Sequence, residues 1–95
     1  GQGVALAARD AGIPATIFVP RTASIAKIAA MEGYGANVRL DGAEFADADV
    51  AARRFAGETG ATFVPAFDDD AVIAGQGSLG IELLADAPEM DTVLL

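Results

Sequence analysis

Four short apolar runs rich in branched residues alternate with four stretches of helical periodicity along this chain. Val4 to Arg9 is alanine-rich and favours helix, and Gly12 stands where a left-handed residue would stop it. Ile13-Pro14 leads into Ala15-Thr16-Ile17-Phe18-Val19, an unbroken apolar run closed by Pro20. Continuous runs of this kind read as strands buried on both faces. Ile25, Ile28 and Ala29 repeat at helical spacing between Ser24 and Glu32, with Thr22 or Ser24 as N-cap and Gly33-Tyr34-Gly35 as the stop.

Asn37-Val38-Arg39-Leu40 predicts a second strand, and Phe45 to Gly57 a third helix presenting Ala51, Ala52, Phe55 and Ala56 on one face. Gly60 breaks that helix before a third predicted strand, Ala61-Thr62-Phe63-Val64. Asp70 to Asp86 reads as the fourth helix and Thr92-Val93-Leu94-Leu95 as the fourth strand. Alternation with short connections is the mark of crossover units, so the expected class is α/β: a three-layer parallel sheet with flanking helices. Pro65 to Asp70 carries a proline and three consecutive aspartates between regular elements, which makes it a plausible boundary.

Composition narrows the chemistry. The 95 residues carry a net charge of −8, which argues against nucleic acid and against an anionic membrane surface. Cysteine and histidine are absent, so this stretch offers no thiolate, no disulfide and no imidazole base or ligand. No apolar run approaches the ~20 residues a bilayer span needs. A cytoplasmic setting is the expectation.

Two segments carry more specific information. They are Gly1-Gln2-Gly3-Val4-Ala5-Leu6-Ala7-Ala8-Arg9 and Phe67-Asp68-Asp69-Asp70-Ala71-Val72-Ile73-Ala74-Gly75-Gln76-Gly77-Ser78. In order and spacing they resemble the threonine/serine dehydratase branch of the pyridoxal-phosphate enzymes of fold type II, nearly end to end. The resemblance implies a central fragment. In that family a Ser-x-Gly-Asn-His loop precedes the position of Gly1, and a glycine-rich phosphate loop follows that of Leu95. It also implies that residues 1–67 form most of a small, mobile α/β domain, and that residues 68–95 begin the return to a large domain.

The implied reaction removes water and then ammonia from threonine or serine to leave a 2-oxo acid, with pyridoxal phosphate as electron sink. The family's phenylalanine or asparagine beside the cofactor ring falls on Phe67, and its substrate-carboxylate loop lies just ahead of Gly1 and Gln2. Gly1, Gln2 and Phe67 are therefore the expected cofactor-side residues. Gln2 and the glycines equally suit a purely structural helix start. In the serine racemase branch the positions of Gln2 and Tyr34 contact a regulatory nucleotide. The family usually forms homodimers or homotetramers, and some members serve isoleucine biosynthesis. Where it often has His-Pro before Phe-Asp this chain has Pro65-Ala66, and where it often has proline this chain has Asp70.

Other residues invite chemistry and read better as structure. Lys27 is the only lysine, yet its place on the second helix reads as a solvated face, and the resemblance puts the Schiff-base lysine upstream. Asp68, Asp69 and Asp70 are adjacent and cannot all converge on one ion, so helix capping is the expectation and no metal site. Gly75-Gln76-Gly77-Ser78 follows an acidic turn rather than a strand, which fails the test for a phosphate loop. These 95 residues by themselves are expected to be inactive. The rival readings are a serine racemase, a hydroxyaspartate dehydratase, or a non-catalytic α/β binding module.

Overall fold

The computed structural model describes residues 1–94. It divides into two compact units, Gly1–Val64 and Pro65–Leu95. The first unit holds α1 (Gln2–Ala11), β1 (Thr16–Val19), α2 (Ile25–Gly33), β2 (Asn37–Leu40) and α3 (Phe45–Thr59). The second holds α4 (Asp70–Asp86).

Each helix stop in the first unit follows its local sequence. Gly12 adopts φ 67°, its N–H donates to the Arg9 carbonyl, and the Ile13 N–H reaches back to Ala8 at 3.0 Å. That left-handed cap satisfies two carbonyls the helix would leave unpaired. α2 ends at Tyr34 and Gly35, the latter at φ 84°, and the Ala36 N–H then bonds the Met31 carbonyl. Gly60 closes α3 at φ 74°. Ser24 does occupy the N-cap position of α2, but its side chain makes no capping bond. The hydroxyl of Thr22 donates instead to the Ala43 carbonyl at 3.2 Å.

β1 and β2 run parallel, pairing Thr16 with Asn37 through Val19 with Leu40. Alternation along β1 sends its side chains to two different layers. Ile17 faces α1 and α2, where it closes a small core with Ala5, Met31 and Ala36. Phe18 faces the other way and meets Phe55 of α3, ring centroids 5.6 Å apart. Helices thus cover both faces of the first unit's sheet, the three-layer α/β arrangement expected of the sequence.

Several details depart from expectation. Ala61–Val64 is not a strand, nor is 92–94; Leu95, the last residue of the predicted fourth strand, lies outside the described residues. The sheet has two strands among the described residues. On α2 the buried residue is Met31, 3% exposed, whereas Ile25 is 85% exposed and Ala29 also faces out. Ile28 of the predicted face is partly buried against that core, and Met31, one turn on, fills the space beside Ile17.

Candidate functional site

In parallel sheets flanked by helices on both faces, ligands gather outside the carboxyl ends of the strands. In the first unit that edge is formed by the turns leaving β1 and β2, and they are tied together. The Arg21 N–H donates to the Gly42 carbonyl at 3.0 Å, and Thr22 bonds Ala43 as described. Beyond β2 the chain turns through Asp41-Gly42, with Gly42 at φ 73°. A Cβ at Gly42 would overlap the Asp47 side chain and come within 2.7 Å of its Oδ2, so only glycine fits.

Asp47 reaches back over this turn from the first turn of α3. Its Oδ2 accepts the N–H of Ala43 at 2.9 Å and of the N-cap residue Glu44 at 3.0 Å, the latter a donor that the helix start leaves unpaired. The Glu44 N–H, then the Ala43 N–H, hold the Asp47 carboxyl below the usual aspartate range, against a small opposing contribution from burial. Ala43 and Glu44 are thereby held in one geometry at the start of α3. Sequence reading passed over this clasp. The turn signal Asp41-Gly42 with acidic residues at positions 44 and 47 was the cue, a variant of the reciprocal capping pattern.

Gly1 and Gln2 both stand at the start of α1, Gly1 as N-cap and Gln2 exposed in the first helical position. A Cβ at Gly1 would approach the Met31 sulfur to 2.7 Å and the Ile17 Cγ2 to 3.4 Å. Glycine there lets the helix start close onto the sheet, a packing role that the geometry makes concrete. Tyr34 caps α2 from within the partly buried shell, and the Arg9 guanidinium lies 5.2 Å above its ring. Phe67 belongs to the second unit and is 68% exposed.

The acid run resolves into separate tasks. Asp69 is the N-cap of α4 and accepts the N–H groups of Ala71 at 3.0 Å and Val72 at 3.1 Å. Asp70 occupies the first turn, favourable beside the positive end of the helix, and Asp68 takes a left-handed φ of 57°. Gly75 and Gly77 lie inside α4 with nothing within 4 Å of a Cβ placed on either.

A groove of about 390 Å³ opens on the α3 side of the first unit, lined chiefly by Phe18, Phe55, Arg39, Arg54, Asp41 and Glu58. Arg39 lies 4.7 Å above the Phe55 ring and 5.8 Å above that of Phe18. Sequence reading did not single it out, because Arg39 and Phe55 meet only through strand register and helix phase.

A pyridoxal phosphate seat requires an amine for the covalent link and a cradle of amides or cations for the phosphate. Lys27 is the single lysine, exposed on α2, and the groove is lined by two arginines and two carboxylates with no amine. The residues present do not by themselves fit that group.

The comparisons with known proteins place the chain. The family described as pyridoxal-phosphate dependent enzyme matches residues 1–95, and the chain belongs to that family. It is 49% identical over 94 residues to an L-threonine ammonia-lyase of Thermotoga maritima, covering 99% of this chain and 23% of that protein. It is 47% identical over 94 residues to a catabolic L-threonine dehydratase, TdcB, of Staphylococcus aureus strain N315, covering 99% of this chain and 27% of that one. Among solved structures, maize serine racemase superposes with a TM-score of 0.85 at 36% identity, over 95% of this chain and 27% of its own. The chain thus spans about a quarter of the length of the relatives it matches. No helix among the described residues is long and apolar enough to cross a membrane.

Proposed function

We propose that the full-length protein is a pyridoxal-phosphate-dependent threonine ammonia-lyase, converting threonine, or serine, to a 2-oxo acid and ammonia. The observation that carries this reading is the 49% identity to a threonine ammonia-lyase along 99% of the chain, within a family match that spans every residue. In this reading the first unit is most of a small, mobile domain whose movement excludes water from the reacting substrate, and the second begins a larger domain. The α1 start at Gly1 and Gln2 faces the substrate carboxylate, where unpaired amides favour an anion. Phe67 forms part of the wall beside the cofactor ring. The setting is cytoplasmic and the assembly a homodimer or homotetramer.

The curated relative from Staphylococcus aureus is named a catabolic enzyme, which favours amino-acid degradation over isoleucine biosynthesis as the role. A second reading, serine racemase, draws on the structural likeness to the maize enzyme at 36% identity. The reactions separate cleanly in one assay. Full-length protein supplied with pyridoxal phosphate should form 2-oxobutyrate from L-threonine faster than it forms D-serine from L-serine. Dominant D-serine formation would establish the racemase instead. The 95 residues alone, with one exposed lysine and neither histidine nor cysteine, should form no 2-oxobutyrate.

Phe67 has its own check in the full-length protein. Replacing Phe67 by alanine should weaken cofactor retention by about tenfold, about 1.4 kcal/mol, followed by the cofactor's absorbance during dialysis. Unchanged retention removes Phe67 from the site.

A further inference from the structure

The groove on the α3 side holds a cation in place and supplies it no anion. Strand register sets Arg39 opposite Phe18, and its guanidinium stacks on the rings of Phe55 at 4.7 Å and Phe18 at 5.8 Å. Stacking occupies the face of this planar group and leaves its N–H edge for an acceptor. Among the described residues no carboxylate pairs with Arg39, whereas Arg9 has Asp10, Arg53 has Asp49, and Arg54 has Glu58 at 4.0 Å.

Asp41 is its counterpart. The Asp41 N–H bonds the Val19 carbonyl at 2.9 Å, so the ladder continues past Leu40 and keeps Asp41 in strand register. Side chains two apart on a strand share a face, with Cα atoms roughly 6–7 Å apart. Arg39 and Asp41 accordingly both line the groove, and among the described residues no cation pairs with Asp41.

These charges select among ligands. A metal ion at Asp41 would meet two guanidinium groups, and a phosphate at Arg39 would meet the carboxylates of Asp41 and Glu58. Arg54 and Glu58 offset each other across one turn of α3. One positive and one negative group remain on the same side of one strand, the complement of a molecule that carries both charges itself. The rest of the lining is apolar. Leu40 is 51% exposed, and the half-buried rings of Phe18 and Phe55 stand beside it in the groove. A volume of about 390 Å³ lies at the small end of the range for small-molecule sites, about 300–1,000 Å³.

We propose that this groove binds a free α-amino acid with an apolar side chain. The carboxylate sits on the Arg39 guanidinium, the ammonium on the Asp41 carboxylate, and the side chain against Leu40 and Phe55. Paired N–H groups of Arg39 give the carboxylate its orientation, and Asp41 distinguishes an amino acid from a simple acid. Because Arg39 is open to solvent, the affinity is on the order of 1 mM. The site lies within the first unit and does not rest on the identity of the reaction.

The test is an NMR titration of the full-length protein, loaded with pyridoxal phosphate and labelled with 15N-arginine. The resonance followed is the Arg39 Nε–H, identified by its loss in Arg39→Lys. The probes are L-leucine, isocaproate (the same chain without the ammonium) and isopentylamine (without the carboxylate). L-Leucine should shift the resonance saturably, and each analogue should bind about tenfold more weakly. Asp41→Asn should weaken L-leucine to the level of isocaproate and leave isocaproate no weaker than before. An Arg39 resonance that L-leucine does not move overturns the site. Equal midpoints for L-leucine and isocaproate on the unaltered protein overturn the amino acid as ligand, in favour of a simple anion. An L-leucine midpoint that ignores Asp41→Asn also overturns the proposal, because the shift then arises from binding elsewhere in the protein.

Discussion

The two units use apolar residues in opposite ways. In Gly1–Val64 the buried residues are few and mostly alanine, but they converge: Ala5, Ile17, Met31 and Ala36 form one core, and Ala48 and Ala51 of α3 are buried as well. α3 keeps its charges outward, with Arg53 bonding Asp49 at 2.7 Å. α4 is richer in large apolar side chains and buries none of its residues. Ile73, Leu79, Ile81 and Leu84 all stand more than half exposed. A helix apolar on all sides belongs inside a larger body. Hydrophobic content alone therefore does not locate a core; a partner surface of matching phase does.

The sharpest way to break this comparison is truncation of one buried and one exposed side chain in the 95-residue chain. Met31→Ala should cost about 2–4 kcal/mol, as buried large-to-small changes do, because the sulfur also supports the start of α1 at Gly1. Leu79→Ala should stay within about 0.5 kcal/mol, since leucine and alanine are both good helix formers and nothing buries position 79. Urea unfolding followed by circular dichroism measures both. Equal losses would mean that α4 has a core of its own.

Glycines give the next contrast. Gly42→Ala meets both a left-handed φ and the Asp47 side chain, and should cost about 2 kcal/mol or more. Gly75→Ala meets open space inside a helix and should stabilise α4 by about 1 kcal/mol in this chain. Repeating Gly75→Ala in the full-length protein sharpens the point. A gain that turns into a loss there reveals a surface pressed against α4.

Much of this was legible beforehand, and the failures share a cause. β2 at Asn37–Leu40 and α4 at Asp70–Asp86 match their predicted bounds; Gly35 and Gly42 flank the strand, and Asp69 caps the start of the helix. Ala61–Val64 and 92–94 read as strands because the pattern records what suits a sheet, and a strand also needs a neighbour. The Asp47 clasp was missed for the reverse reason. Its signal is spread over a turn and a helix start, and Arg21 and Thr22 join it across about twenty residues of chain, a pairing that only the parallel register creates. Gly1 was flagged for its chemistry, while its nearest neighbours are Met31 and Ile17, which no local pattern announces.

Caps supply a smaller difference. Asp69→Ala removes the acceptor of two N–H groups at the start of α4 and should cost about 1 kcal/mol, within the usual range for an N-cap. Because α4 buries nothing, that loss should appear as fraying of the first turn, visible as faster amide exchange at Ala71 and Val72 with the first unit unaltered. Slower exchange in the first unit's amides than before the change, or faster, would show that the two units share their stability.

The gentlest effect is expected from pH at Asp47. Its folded-state carboxyl is held below the ordinary aspartate value of 3.8 by the N–H groups of Glu44 and Ala43. A group whose folded value is depressed binds fewer protons when folded, so its contribution is complete above the unfolded value and disappears as pH falls through the folded one. The α3 cap should therefore be intact at neutral pH and loosen only below 3.8. Asp47→Asn keeps an acceptor but removes the charge, and should flatten that part of the pH profile while leaving neutral-pH stability only slightly reduced. The check is the Asp47 carboxyl 13C shift against pH, with the Ala43 and Glu44 amide shifts moving at the same midpoint. A midpoint at or above 3.8 would mean that the Asp47 clasp on Ala43 and Glu44 does not hold in solution.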